Sequence, residues 1–139
     1  MNPVDLQIVV RKAKLILEDL KRLEEYAKID LSEYLEKYEL QLAVERMLEL
    51  ILGRVIDINY HILSQKYKII PSDYTESFVS MLKVGEITKD QFEKMKPSAG
   101  LRNALAHEYD KIDPKMVYEG MQNTVKYLRE YLKLVLAKN

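Results

Sequence analysis

A chain of 139 residues, 47% apolar and 32% charged, is sized for one globular domain spanning 1–139 with a core of its own. Acidic and basic side chains balance to zero net charge, which argues against a protein that holds nucleic acid mainly through its phosphates and leaves room only for a local basic patch. With no cysteine, disulfides and thiolate metal sites are excluded, and a reducing cytoplasm is the expected compartment.

The first residues, Met1 to Asp5, lack the basic segment and apolar run of a signal peptide. Asn2 as N-cap and Pro3 at the first helical position predict a helix to about Ala27. Its apolar residues, Leu6, Val9, Val10, Ala13, Ile16, Leu17, Leu20 and Leu23, recur at steps of three and four, the pattern of one buried face. Asp30 or Ser32 caps a short helix to Lys37. A long helix follows from about Glu39 to Lys66. Leu40, Val44, Met47, Ile51, Val55, Ile58 and Ile62 form one stripe, with Leu48, Leu52, Ile56 and Leu63 beside it. So wide an apolar arc predicts a central helix with partners on several sides and spare surface for a homodimer. Its interspersed charges, Glu45, Arg46, Glu49, Arg54 and Asp57, make it a poor membrane span, so no membrane partner is expected. Gly53 within it suggests a close helix–helix approach. Asp57 and His61, four residues apart, share a face. They form either a surface pair or part of a cleft, and without a third ligand at helical spacing they make no metal site.

Pro71 ends that helix region, and Ser72 or Asp73 caps a short helix from Tyr74 to Lys83, with Gly85 placed to close it. Thr88 and Gln91 form a capping box. The helix they open meets Pro97, which predicts a kink or break, and ends near His107 to Tyr109. Asp113 before Pro114 starts the last helix, which runs to about Leu136. The sum is an all-α fold, an antiparallel bundle of four to five helices around a long central one.

The polar residues that stand out lie in Arg102-Asn103-Ala104-Leu105-Ala106-His107-Glu108-Tyr109. Asn103 and His107 are four apart and share a helix face, so the amide is placed to hold the imidazole in one tautomer. Arg102 and Tyr109 are seven apart and also align. Arg102 and His107 diverge by about 140° on a straight helix, so they meet at one substrate only through the length of the arginine or across two copies of the site. A guanidinium binds phosphate and an imidazole exchanges protons, a pair suited to RNA cleavage through the 2′-hydroxyl without metal or cofactor. The same residues at a helix end also suit a purely structural role.

This stretch resembles the R-x-x-x-x-H-x-Y motif of the HEPN superfamily. The order of Leu40 to Arg46, Asp57 to His61, Gly100 to Asn103, His107 to Asp110 and Asp113-Pro114 is similar to its HepT-like branch over essentially the whole chain. Related sequences often carry Asn-His where this chain has Tyr60-His61, and Tyr60 is placed either to stack on a base or to pack in the bundle. The resemblance implies a dimeric helical bundle that joins two motifs at a shared cleft. It implies a metal-independent endoribonuclease toxin of the type VII, MNT–HEPN, toxin–antitoxin kind. Arg102 and His107 would then be the catalytic pair and Asn103 the residue that orients His107. Tyr109 would be the residue that a partner nucleotidyltransferase antitoxin modifies with AMP. The other class of function it admits is a non-catalytic HEPN module that binds nucleotide or the nucleotidyltransferase.

Overall fold

In the computed structural model the described residues are 5–139, apart from the side chain of Tyr109. Short polar side chains set where most helices begin. Asp5 accepts hydrogen bonds from the Gln7 and Ile8 amides and opens α1, Leu6–Tyr26. Asp30 caps α2, Leu31–Glu36, and Asp73 caps α4, Tyr74–Lys83. Thr88 and Gln91 complete the expected capping box at the start of α5, Lys89–Met95. Asp113 accepts from the Lys115 amide ahead of α7, Pro114–Ala137. Each such cap stabilises its helix by about 1 kcal/mol. The cap expected at Asn2, with Pro3 after it, lies outside the described residues, and Asp5 takes that role for the described helix.

The helix ends are as local in origin. The long helix α3, Tyr38–Tyr67, stops where Lys68 turns left-handed at φ 58°. That is ahead of the Pro71 break. Gly85, at φ 82°, ends α4: its amide bonds to the Leu82 carbonyl and the Glu86 amide to that of Met81. Pro97 divides one expected helix into α5 and α6, Pro97–His107. Lys96 between them keeps helical angles, so the chain bends without leaving helical geometry. Counting the two short helices the sequence also marked, this division brings the α-helices to seven among the described residues.

Ion pairs fix the helix directions. Asp19 of α1 meets Arg54 of α3, and Lys12 meets Asp57, so α1 and α3 are antiparallel. Glu24 of α1 pairs with Arg129 of α7, while the Ala27 carbonyl accepts from Gln122, so α1 and α7 are also antiparallel. α7 therefore runs parallel to α3, because α4, α5 and α6 together return the chain to its starting end. The wide apolar arc of α3 is covered within this one chain. It packs against α1, α2, α4, α6 and α7 and buries Val44, Leu48, Ile51, Leu52, Val55, Ile58 and Ile62, among others. Tyr38 and Leu42, near its start, stay exposed. Among the described residues no helix is long and apolar enough to cross a membrane.

Two polar networks interrupt the apolar core. Asn59 is fully buried, accepting from the Tyr131 hydroxyl at 2.7 Å and donating to Ser77, so it ties α3 to α7 and α4. Glu86, 2% exposed, receives Tyr67, Lys66 and Asn139 at 2.7 to 2.9 Å. Burial raises the pKa of Glu86, but these three donors outweigh it and leave the group below the usual carboxylate range. A carboxylate depressed in the folded state contributes stability that is present above its unfolded pKa of about 4.3 and lost as the pH falls through the folded value. Glu86→Gln is expected to lower stability at pH 7 by about 1–3 kcal/mol and to flatten the acid limb of a plot of denaturation midpoint against pH. Equal acid limbs in variant and parent would refute this assignment.

Candidate active site

α6 carries Arg102, Asn103 and His107 and is seated between α3 and α7. Two glycines set how it sits. A Cβ on Gly120 of α7 would collide with the side chain of Leu101. A Cβ on Gly53 of α3 would stand 3.1 Å from Nε of Arg102. The close approach that Gly53 permits is therefore made by a guanidinium, where the sequence suggested a second helix backbone.

That guanidinium is half-buried. Its Cζ lies 5.4 Å from the centroid of the Tyr74 ring, a cation–π distance. Its Nε and one terminal nitrogen are buried and have no hydrogen-bond partner among the described residues. Arg102 borders a shallow depression of about 300 Å³ that also exposes Lys12, Arg46, Arg54 and Asp57. Lys12 pairs with Asp57 at 3.2 Å, Arg54 with Asp19 at 2.8 Å and Arg46 with Glu49 at 3.4 Å. Among the described residues Arg102 is thus the cation of this depression with no carboxylate against it. Donors buried and unanswered call for an acceptor from outside, and a guanidinium suits a phosphate or carboxylate.

Asn103, the next residue, points the other way and is exposed. It borders a second cavity of about 450 Å³ with Tyr60, Tyr74, Asp73 and Thr75. Burial pushes the Tyr60 phenol above its ordinary pKa, and the nearby Asp73 and Tyr74 add to it. His107 is exposed as the last residue of α6. No hydrogen bond joins Asn103 to His107 among the described residues, so within one chain the amide does not hold the imidazole.

The helix ends at His107 because Glu108 leaves helical geometry, at φ −130° and ψ 34°, and a 3-10 turn, Tyr109–Lys111, follows. The two-turn alignment of Tyr109 with Arg102 expected for a continuous helix therefore does not extend to residue 109. The side chain of Tyr109 lies outside the described residues. Asp57 and His61 also part company. Asp57 is held by Lys12 beside Arg102, whereas His61 borders a different cavity, with Tyr60, Gln65 and Ile70. Only one of the pair adjoins the motif arginine. Among the described residues no three His, Asp or Glu side chains gather as a cation ligand set.

Sequence spacing missed Tyr74 and the role of Gly53. Tyr74 reads only as the residue after a cap. A glycine in the middle of an apolar helix was the one available signal for Gly53.

Comparison with known proteins places this geometry in a family. The profile of the ribonuclease HepT-like family matches residues 16–135. The tRNA nuclease HepT of Aphanizomenon flos-aquae is 34% identical over 135 residues, covering 97% of this chain and 92% of that protein. The mRNA nuclease HepT of Shewanella oneidensis is 25% identical, covering 94% and 98%. Among solved structures, the tri-AMPylated Shewanella oneidensis HEPN toxin in complex with its MNT antitoxin superposes with a TM-score of 0.81 at 25% identity, covering 94% of this chain and 97% of that one. The Bacillus subtilis cytosolic protein YutE, 14% identical, shares the fold with a TM-score of 0.85 over 99% and 92% of the two chains. With the family profile matching residues 16–135 and a relative 34% identical over 97% of this chain, the protein belongs to the HepT-like ribonuclease family of the HEPN superfamily.

Proposed function

We propose that this protein is the ribonuclease toxin of an MNT–HEPN toxin–antitoxin pair, a metal-independent endoribonuclease that acts as a homodimer. The observation that carries this reading is the Arg102 guanidinium, buried with two unanswered donors on the helix that ends in His107. Arg102 binds the scissile phosphate and stabilises the charge that builds on its non-bridging oxygens. His107 accepts the proton of the 2′-hydroxyl as that oxygen attacks phosphorus. The bond from phosphorus to the 5′-oxygen breaks, and the departing oxygen takes up a proton. A 2′,3′-cyclic phosphate and a free 5′-hydroxyl result. DNA, lacking the nucleophile, is not cut.

One chain does not complete this arrangement. Arg102 is pinned against Gly53, and five residues of helix turn His107 away by about 140°. A second copy opposite α6 supplies the missing partner of each group, with Asn103 placed to orient the histidine across that cleft. Tyr109 stands two residues past His107, in the 3-10 turn. AMP attached there by a nucleotidyltransferase antitoxin adds a bulky anion at the mouth of the site, where it opposes substrate phosphate. The relatives that are nucleases, and the one that is AMPylated and held by an MNT antitoxin, support this reading.

In EDTA, protein with Tyr109 unmodified is expected to cleave RNA, and His107→Ala to cleave it about a hundredfold more slowly or worse. Equal cleavage would overturn the assignment of His107 to the chemistry, and none by the unmodified parent would assign the chain to the non-catalytic, partner-binding class. Arg102→Ala should lose cleavage by about 10²–10³-fold while helicity persists, since its buried donors have no hydrogen-bond partner among the described residues. Unfolding of that variant would make Arg102 structural.

Gly53→Ala separates activity from stability. Alanine favours the helix interior by about 1 kcal/mol over glycine, but its Cβ crowds Nε of Arg102 at 3.1 Å. The expected result is an unchanged or raised thermal midpoint with reduced cleavage. Full activity in Gly53→Ala would show that the seat of the guanidinium is unimportant.

A further inference from the structure

The cavity bordered by Asn103 is absorbed neither by the packing of the fold nor by the phosphate chemistry of Arg102. Its volume is about 450 Å³, within the range of small-ligand clefts. Two tyrosines, Tyr60 from α3 and Tyr74 from the start of α4, contribute to its lining, and neither hydroxyl is bonded to another described residue. Its one charged lining residue is Asp73. One oxygen of Asp73 accepts the Glu76 amide as a helix cap, which leaves the other free. The Asn103 amide supplies both a donor and an acceptor. Because the lining holds an anion and no cation, the cavity disfavours a phosphate. Aromatic rings with neutral polar groups and a carboxylate favour a flat, uncharged heterocycle that carries N–H donors.

The cavity also adjoins the phosphate site. Tyr74 lines it and at the same time presents its ring to the Arg102 guanidinium 5.4 Å away. We infer that it is a nucleobase pocket, which takes one unstacked base of single-stranded RNA next to the phosphate held by Arg102. The inference rests on the ribonuclease reading above. Tyr60 stacks on the base. Asp73 accepts from an exocyclic amino group, so cytosine is preferred to uracil, which presents a carbonyl at that edge. Splayed bases held on aromatic rings are how proteins read single-stranded RNA. Such a pocket gives a protein of zero net charge a source of affinity that does not depend on many phosphate contacts.

The test uses the full chain with Tyr109 unmodified and short single-stranded RNAs that differ only in C or U beside the cleaved bond. Tyr60→Ala should raise KM by about tenfold or more, with a smaller change in kcat, since stacking on an aromatic ring typically contributes about 10- to 100-fold per base. Tyr60→Phe should restore KM. Asp73→Asn, which keeps a good capping residue, should erase the preference for C. Unchanged KM and unchanged preference in Tyr60→Ala and Asp73→Asn would overturn the pocket while leaving the nuclease intact. Should no form cleave RNA, the ribonuclease reading fails, and calorimetry with 5′-CMP and 5′-UMP decides the pocket. Tighter binding of CMP that weakens in Tyr60→Ala upholds it. Absence of nucleotide binding, or loss of self-association in Tyr60→Ala in place of it, overturns it and makes this face a protein contact.

Discussion

The rotational setting of α6 is the constraint on which the rest of the site depends. Leu101 and Arg102, neighbours in sequence, each rest over a glycine of a different helix, Gly120 of α7 and Gly53 of α3. Because adjacent residues on a helix point about 100° apart, two such contacts define the rotation of α6 about its axis. Leu101 and Leu105 then face the core, while Asn103 and His107 are carried to the surface. Rotating α6 by one residue would put a guanidinium over Gly120, where Leu101 is buried, and bring Asn103 to Gly53. Fold and site therefore share one determinant: the packing that buries the leucines also aims the polar groups.

The buried donors of a guanidinium seated this way add no stability through hydrogen bonds among the described residues. Buried donors left without acceptors are costly, and folded proteins satisfy most of them. The surroundings make the omission more telling. Lys12, Arg46 and Arg54, which share the depression with Arg102, all have carboxylate partners. Zero net charge across the chain is compatible with binding an anion because the local charge is unbalanced at one group. Tyr74 offers that group a ring face, which holds a cation without competing for its hydrogen bonds.

What was legible in the sequence is what local chemistry decides. Thr88 and Asp113 cap where their side chains and neighbours said they would, and of the two candidates Asp30 and Ser32 it is Asp30 that caps α2, since a cap needs only the next three residues. Pro97 broke the helix for the same reason. The core stripes of α1, α3 and α7 followed from periodicity. What the sequence leaves open is non-local. Asp57 and His61 share a helix face by spacing, yet Lys12 of α1 claims the first, and the second turns to another cavity. Whether α3 and α7 run parallel depends on three intervening helices, which no stripe records. Tyr74 gives no sign in its own segment that it backs an arginine on α6.

The two ends of the motif are held to different degrees, and this bears on how a nuclease of this kind is kept in check. Arg102 is fixed by Gly53 and Tyr74 inside the fold. His107 sits where the helix stops, exposed, with the chain turning at Glu108 into a three-residue 3-10 segment. In the proposed mechanism the half fixed inside the fold is the one that recognises an anion. The peripheral half, which in the proposed mechanism moves the proton, depends on what is brought against it. A modification at Tyr109, in that terminal turn, would act on the half the fold holds least, without disturbing the glycine contacts that seat α6. Control placed there is compatible with a toxin that must fold completely and still be silent, because the inhibitory charge would be added beyond the last residue of α6.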